Sequence, residues 1–329
     1  MYSFNDIIGY EDIKNHFKKS IQSNKISHAY IISGPKGMGK KLIANVISKT
    51  LQCEKGEEEP CNACTSCKQY DSNNNPDVKF VHATKTKSIG VDDIREQVNK
   101  DIHIKPYSYK NKIYIIDEAD TLTEQAQNAL LKTIEEPPEY GIIFLLVNHT
   151  NNMLPTILSR CVVLQLKPIQ ETIIKDYLMR QYKIEPQETN LYVSMAQGNI
   201  GKAQELVISD EFRTMRMKAI DLLKKINTLS DIEMMNVAPQ LEEYKDHIED
   251  FLDIMITWYR DLLVIKSTQE SENIIHQDYY GDLLKNSEDL TYNQIGNAIN
   301  KLEETKNIFK NNVNYQLALE SLLFKLRMV

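Results

Sequence analysis

Residues 34–40 read Gly-Pro-Lys-Gly-Met-Gly-Lys, a G-x-x-x-x-G-K spacing. The run lies between an apolar stretch, His28-Ala29-Tyr30-Ile31-Ile32, and a helical stretch from Leu42 to Leu51. A strand, a glycine loop and a helix in that order turn backbone N–H groups inward around a phosphate chain. The helix start adds the positive end of its dipole. Lys40 then reaches the outer phosphates. The order predicts a P-loop fold, with Gly34, Gly37, Gly39 and Lys40 as nucleotide-binding residues. The next position departs from the pattern. A Ser or Thr hydroxyl there would hold Mg2+, whereas Lys41 is a second cation with no acceptor. The loop therefore supports the fold more firmly than it supports ATP hydrolysis. Two readings stay open, a nucleotide site and a loop that keeps only its shape.

A second organised stretch runs from Lys112 to Cys161. Its apolar run Ile113–Ile116 ends on Asp117-Glu118-Ala119-Asp120. An amphipathic run with Ala126, Ala129, Leu130, Thr133 and Ile134 on one side follows, and stops at Glu135-Glu136-Pro137-Pro138. A second apolar run, Ile142 to Val147, leads to Asn148-His149-Thr150, and the stretch closes on Ser159-Arg160-Cys161. Strands apolar on both faces that alternate with helices imply a buried parallel sheet. An open α/β sheet places its chemistry at the carboxyl ends of the strands. Asp117 would hold Mg2+ and Glu118 would orient or deprotonate the attacking water. The plain alternative makes Asp117 a cap for the helix entering at Thr123. Asn148 would hold a water near the γ-phosphate, or serve as a turn residue. Arg160 follows a short helix whose Leu154, Ile157 and Leu158 pack inward, so it points out at an edge. There a guanidinium can stabilise phosphoryl transfer in a neighbouring subunit. Spacing alone favours a surface arginine or an internal salt bridge.

Cys53, Cys61, Cys64 and Cys67 have the spacing C-x7-C-x2-C-x2-C. Three thiolates at this interval reach one tetrahedral ion, and Cys53 at a helix end supplies the fourth. Four Cys ligands leave no open position, which means a structural zinc. Disulfides are the poorer reading for reduced cytosolic thiols, and free surface thiols are the other alternative. The neighbouring Glu57-Glu58-Glu59 makes this knuckle a poor phosphate contact.

At 329 residues, and about 150 residues per domain, two or three domains are expected. The longest apolar run, Ile142 to Val147, falls far short of the ~20 residues that cross a membrane. The N-terminus has no basic region leading into an apolar core, so the cytoplasm is expected. A net charge of −7 argues against a protein that coats nucleic acid unaided. Lys85, Lys87 and Lys105 read as solvated surface. Lys167-Pro168 marks a boundary, 171–203 reads as a small helical lid, and the chain is helical from Asp210 onward. One face there runs through Ile248, Phe251, Leu252, Met255, Trp258, Tyr259, Leu262 and Ile265. The last helix, Tyr315 to Met328, carries Leu317, Leu319, Leu322, Leu323 and Leu326.

Gly34 to Lys40, Asp117-Glu118-Ala119-Asp120, Asn128 to Pro138 and Ser159-Arg160-Cys161 together resemble bacterial clamp-loader subunits, the AAA+ proteins of the DNA polymerase III holoenzyme. The cysteine knuckle behind the P-loop helix belongs to the same resemblance, which covers the whole chain and is strongest from His28 to Leu166. It implies a RecA-like α/β AAA+ P-loop domain with a zinc knuckle over 1–166, a helical lid over 167–208 and an all-α collar over 209–329. The hydrolysing gamma/tau branch keeps Ser or Thr after the P-loop lysine, and a sensor arginine in a Gly-x-x-Arg pattern. Here those places hold Lys41 and, in Gly198-Asn199-Ile200-Gly201, a glycine. Two catalytic groups are lost while Arg160 is kept, the pattern of the delta prime branch.

The resemblance thus implies a largely non-hydrolysing subunit that supplies Arg160 in trans to a gamma/tau ATP site, with Glu118 as a remnant. It implies structural Zn2+ on the four cysteines and little place for ATP and Mg2+ at this chain's own site. Its implied partners are gamma/tau and delta subunits, the sliding clamp and primed-template DNA, with no membrane and no polymerase activity in this chain. The retained Asp117 and Glu118 leave residual nucleotide binding open, and the alternative is an active gamma/tau-type ATPase, against which Lys41 and Gly201 speak. A free zinc-dependent DNA-binding protein is a third reading, disfavoured by the acidic charge.

Overall fold

The computed structural model describes residues 2–84, 88–268, 273–309 and 313–327. Lys85, Lys87 and Met328 lie outside the described residues. The chain divides into two compact units, Met1–Ile173 with Gly198–Gly201, and Ile174–Gln197 with Lys202–Val329.

The first unit contains α1 (Glu11–Gln22), β1 (Ala29–Ser33), α2 (Lys40–Gln52), α3 (Thr65–Asp71), β2 (Val78–Val81), α4 (Val91–Ile94), α5 (Lys100–Ile102), β3 (Lys112–Ile116), α6 (Glu124–Glu135), β4 (Gly141–Val147), α7 (Pro155–Leu158) and β5 (Val162–Gln165). The strands form one parallel sheet in the order β2-β3-β4-β1-β5. Alternate side chains leave opposite faces of a strand, and both faces here are apolar. Ile31, Tyr114, Ile116, Ile143 and Leu145 face Ile94, Val98, Ile102, Ala126 and Leu130 of the helices on one side. Tyr30, Ile32, Ile113, Ile115, Phe144 and Leu146 face Phe17, Ile43 and Ile47 of α1 and α2 on the other. Tyr30 stacks on Phe144 with ring centroids 5.4 Å apart. Residues 91–102 form one helical run, from α4 through α5. Its middle, Arg95–Asn99, is a π turn, yet Ile94, Val98 and Ile102 all stay buried.

The second unit is helical. It holds most of α8 (Glu171–Tyr182), α9 (Pro186–Ala196), most of α10 (Ile200–Ile208), α11 (Asp210–Lys225), α12 (Asp231–Gln240), α13 (Ile248–Thr268), α14 (Tyr280–Asp289), α15 (Tyr292–Phe309) and α16 (Tyr315–Arg327). The stripe of α13 predicted from spacing is buried throughout, from Ile248 to Ile265. On α16 the dense leucines separate. Leu319, Leu322, Leu323 and Leu326 are buried, whereas Leu317 is 64% exposed. The four buried residues follow steps of three, one and three, which keep to one helical face. Leu317 lies two residues before that stripe and points elsewhere.

His276 is fully buried in this unit, and its ring lies 6.0 Å from that of Trp258. The Thr257 hydroxyl donates to the Ile254 carbonyl, so the imidazole Nε2–H donates to Thr257 Oγ1 at 3.0 Å. Nδ1 is thereby left to accept from Arg216 Nη2 at 3.1 Å. Burial, and then the Arg216 charge, lower the His276 pKa to about 3. The unfolded imidazole titrates near 6.5. Between those values the unfolded chain binds more protons than the native one, so stability falls as pH falls. Below about pH 6.5, down to about pH 3, this group is expected to cost up to about 1.4 kcal/mol per pH unit. Urea unfolding followed by fluorescence of the single tryptophan, Trp258, will read this slope, and His276→Gln is expected to flatten it.

Candidate nucleotide and metal sites

The P-loop sits where a parallel sheet puts it, after β1 and beside the ends of β3 and β4. Gly34 N–H donates to the Val147 carbonyl at 3.1 Å, tying the loop to the tip of β4. Gly37 and Gly39 have φ of +89° and +86°, left-handed conformations that other residues rarely adopt. Lys40 Nζ donates to the Gly34 and Pro35 carbonyls at 2.5 and 3.1 Å, and to Asn148 Oδ1 at 3.0 Å. Asn148 in turn donates through Nδ2 to Asp120 Oδ2 at 3.1 Å. The other Asp120 oxygen is buried without a hydrogen-bond partner. Partial burial lowers the Lys40 pKa, opposed by the charges of Asp120, Asp117 and Glu118.

All six sequence-predicted nucleotide residues (Gly34, Gly37, Gly39, Lys40, Asp117 and Asn148) thus lie at one edge of the sheet. Asp120, which holds the Asn148 amide, was not singled out by sequence reasoning. Its signal is its place in the acidic run after β3, but its partner lies 28 residues further on.

Asp117 does not cap α6. That cap is Thr123, whose Oγ1 accepts from Ala126 N–H at 3.2 Å. Asp117 instead forms an ion pair with Lys41, Nζ to Oδ2 at 3.2 Å. Lys41 also lies 5.9 Å from the centroid of the Phe80 ring. The cation in place of the usual hydroxyl is therefore ion-paired with the carboxylate expected to hold Mg2+. Glu118 is exposed and left-handed, with φ +51° and ψ +41°. Such a backbone costs a non-glycine residue roughly 1 kcal/mol or more. Its carboxylate makes no hydrogen bond or ion pair among the described residues.

Residues 198–201 close over the loop. Asn199 Nδ2 donates to the Lys36 carbonyl at 2.7 Å, and Gly201 N–H donates to the Gly37 carbonyl at 3.0 Å. A Cβ on Gly201 would meet Gly37 O at 2.5 Å and Gly37 Cα at 2.8 Å. Glycine here is thus a steric requirement of the observed loop. An arginine at this position would have to displace backbone.

Arg160 is exposed at the end of α7, and its Nε lies 2.8 Å from Glu135 Oε1. Both plain readings of its sequence position hold at once, since the residue is on the surface and in a salt bridge.

The four cysteines come from the C-cap of α2 (Cys53), the following loop (Cys61), the N-cap of α3 (Cys64) and its first turn (Cys67). Their sulfurs all lie within 4.8 Å of one another. Tetrahedral Zn–S bonds of about 2.3 Å put sulfurs about 3.8 Å apart, so the cluster is compatible with one four-thiolate ion. Backbone N–H groups of Ala63 and Cys64 lower the Cys61 pKa to about 6, while burial raises those of Cys53 and Cys67. The knuckle is anchored from α2. Fully buried Lys49 places Nζ 2.8 Å from both Asp71 oxygens of α3 and 2.5 Å from Asn62 Oδ1.

A P-loop after β1, an acidic run after β3 and a five-stranded parallel sheet, followed by an all-helical region, define an AAA+-type P-loop protein. The comparisons with known proteins narrow this class. A family profile described as "DNA polymerase III, delta subunit" matches residues 9–170, and one described as "DNA polymerase III, delta subunit, C terminal" matches 212–327. The chain is 32% identical to the DNA polymerase III subunit delta' of Bacillus subtilis over 94% of this chain and 93% of that one. It is 30% identical to the DNA polymerase III subunit tau of the same organism over 83% of this chain and 52% of that longer one. A gamma subunit-related protein of Thermotoga maritima aligns with 96% of this chain and 99% of its own, at 20% identity and a TM-score of 0.45. The chain belongs to the DNA polymerase III clamp-loader subunit family, the one its motifs resemble. No described helix is long and apolar enough to cross a membrane.

The contact at residue 201 makes a stability prediction of unusual sign. Alanine for glycine inside a helix ordinarily gains up to about 1 kcal/mol. Gly201→Ala is expected to lose about 1–3 kcal/mol, because its Cβ must push the P-loop backbone aside. Chemical denaturation of the two proteins side by side measures the difference.

Proposed function

We propose that this chain is a delta prime-type clamp-loader subunit, one that hydrolyses little or no ATP itself and lends Arg160 in trans to a gamma/tau ATP site. The observation that carries this reading is the Lys41–Asp117 ion pair. A hydrolysing site needs Asp117 for Mg2+, directly or through water. With an ammonium already beside it, the carboxylate has less charge to offer a metal, and Lys41 supplies no oxygen ligand. Lys40 is turned onto the loop's own carbonyls and Asn148. Gly201 supplies no cation at the sensor position. Glu118 is then a remnant with no metal-bound water to orient. ATP with Mg2+ has little place at this site.

In this reading the work is mechanical. The chain sits beside a gamma/tau subunit, in a complex that also holds delta, and helps the ring clamp open for loading at primed-template DNA in the cytoplasm. Cys53, Cys61, Cys64 and Cys67 hold a structural Zn2+ that cross-links the knuckle, and no catalysis passes through it. The division is a P-loop domain over 1–166, a lid over 167–208 and a collar over 209–329. The competing reading is an active gamma/tau-type ATPase, favoured by the retained Asp117, Glu118 and Lys40. Polymerase chemistry resides in other chains in both readings.

Turnover separates the two. The purified chain alone is expected to hydrolyse ATP at background rate, and to raise the turnover of a gamma/tau complex on primed DNA with clamp present. Arg160→Ala is expected to remove at least about 90% of that gain, since an arginine finger typically supplies 10³-fold or more at its site. Turnover by the chain alone would favour the ATPase reading, and a fully active Arg160→Ala complex would sink the finger. For the knuckle, metal analysis is expected to find one zinc per chain. Cys64→Ser or a strong chelator should remove it and expose residues 53–71 to protease.

A further inference from the structure

We propose that Glu135 is a positioning residue for Arg160, holding the guanidinium at Nε so that Nη2 is presented to a neighbouring ATP site. The proposal deepens the finger reading above and rests on it. Glu135 is the last residue of α6, and its Oε1 lies 2.8 Å from Arg160 Nε. Arg160 Nη1 donates to the Thr156 carbonyl at 3.1 Å and to Ser159 Oγ at 3.3 Å. Nη2 donates to no protein atom among the described residues. The side chain is therefore gripped at Nε and Nη1 by its own subunit, and its Nη2 hydrogens are unengaged among the described residues.

Helix energetics do not explain a carboxylate at this place. The last turn of a helix carries the negative end of the dipole, which favours Lys or Arg and disfavours Glu. Glu135 is followed by a second acid, Glu136, at the C-cap. Surface ion pairs of this exposure, 40% and 45% for the two side chains, add little stability. A fixed backbone does suit a positioning role. Pro137 disfavours helical backbone at Glu136, whose φ of −123° and ψ of +61° lie outside the helical region, and the helix ends there. At its own end, α7 is packed into the core through Ile157, with Leu154 and Leu158 against it. The carboxylate and the guanidinium thus project from two anchored elements of one unit. An arginine that is already oriented loses less freedom when it meets a phosphoryl oxygen.

The test is a double-mutant cycle in the reconstituted gamma/tau complex, with clamp and primed DNA, measuring kcat and KM for ATP. Glu135→Ala is expected to lower kcat about tenfold, with KM and complex assembly unchanged. Glu135→Gln keeps a neutral acceptor within reach of Nε and should retain most of the rate. Because Glu135 acts through Arg160, the double variant Glu135→Ala/Arg160→Ala should be no slower than Arg160→Ala alone. If the two losses multiply, Glu135 acts elsewhere and the proposal fails. It also fails, with the finger intact, if Glu135→Ala turns over normally while Arg160→Ala is impaired. A normal rate for Arg160→Ala would instead remove the finger reading itself, and Glu135's role with it. Glu135→Asp, which shortens the reach while keeping the charge, gives the same comparison should the alanine variant not fold.

Discussion

A parallel sheet can be built only by returning the chain to the same edge before every strand. The return segments must cover the sheet, because strands like Ile113–Ile116 and Ile142–Val147 are apolar on both faces. That requirement organises the first unit. It places α1 and α2 on one face, the helices of 91–102 and α6 on the other, and every strand end at a common rim. The P-loop follows β1, the acidic run follows β3 and Asn148 follows β4. They meet because β1 and β3 both flank β4. Nothing local to any of the three segments would bring them together.

At that rim, charged and polar side chains from three segments face one another. A working nucleotide site keeps its acids unpaired until a metal arrives, and keeps its lysine free for phosphate. Here several of these groups already have partners from the chain itself. Lys41 sits on Asp117, while Lys40 is shared among two carbonyls and an amide that Asp120 holds. Both lysines of the rim are thus engaged by the chain itself, while Glu118 is left unpaired among the described residues. Arg160 lies at the end of α7, and its Nη2 donates to no protein atom among the described residues.

What the sequence made legible follows from distance along the chain. The glycine loop, the cysteine spacing, the paired acids and the 3.6-residue stripe of α13 are local patterns, and each appears where expected. Contacts between distant residues were not legible. The Lys40–Asn148 bond spans 108 residues, and no local rule gives the place of β1 between β4 and β5. The loss of an arginine at Gly201 could be read by resemblance, but the close approach of its backbone to Gly37 could not. The competing roles for Asp117 needed Thr123 to be seen capping α6. The outward turn of Leu317 is a departure of one residue within a helix that was otherwise legible, whereas the π turn at Arg95–Asn99 spans five residues.

The helix that begins at the P-loop ends at the cysteine knuckle. α2 starts at Lys40, and its C-cap is Cys53. Thirteen residues make a rod about 20 Å long. On its way it sends Asn45 to the hydroxyl of Tyr70 and Lys49 to Asp71 and Asn62, so the knuckle is fastened along its flank as well as at its tip. A hydrogen-bonded rod of this kind keeps its length. The P-loop and the knuckle therefore stand at a spacing that this one helix sets.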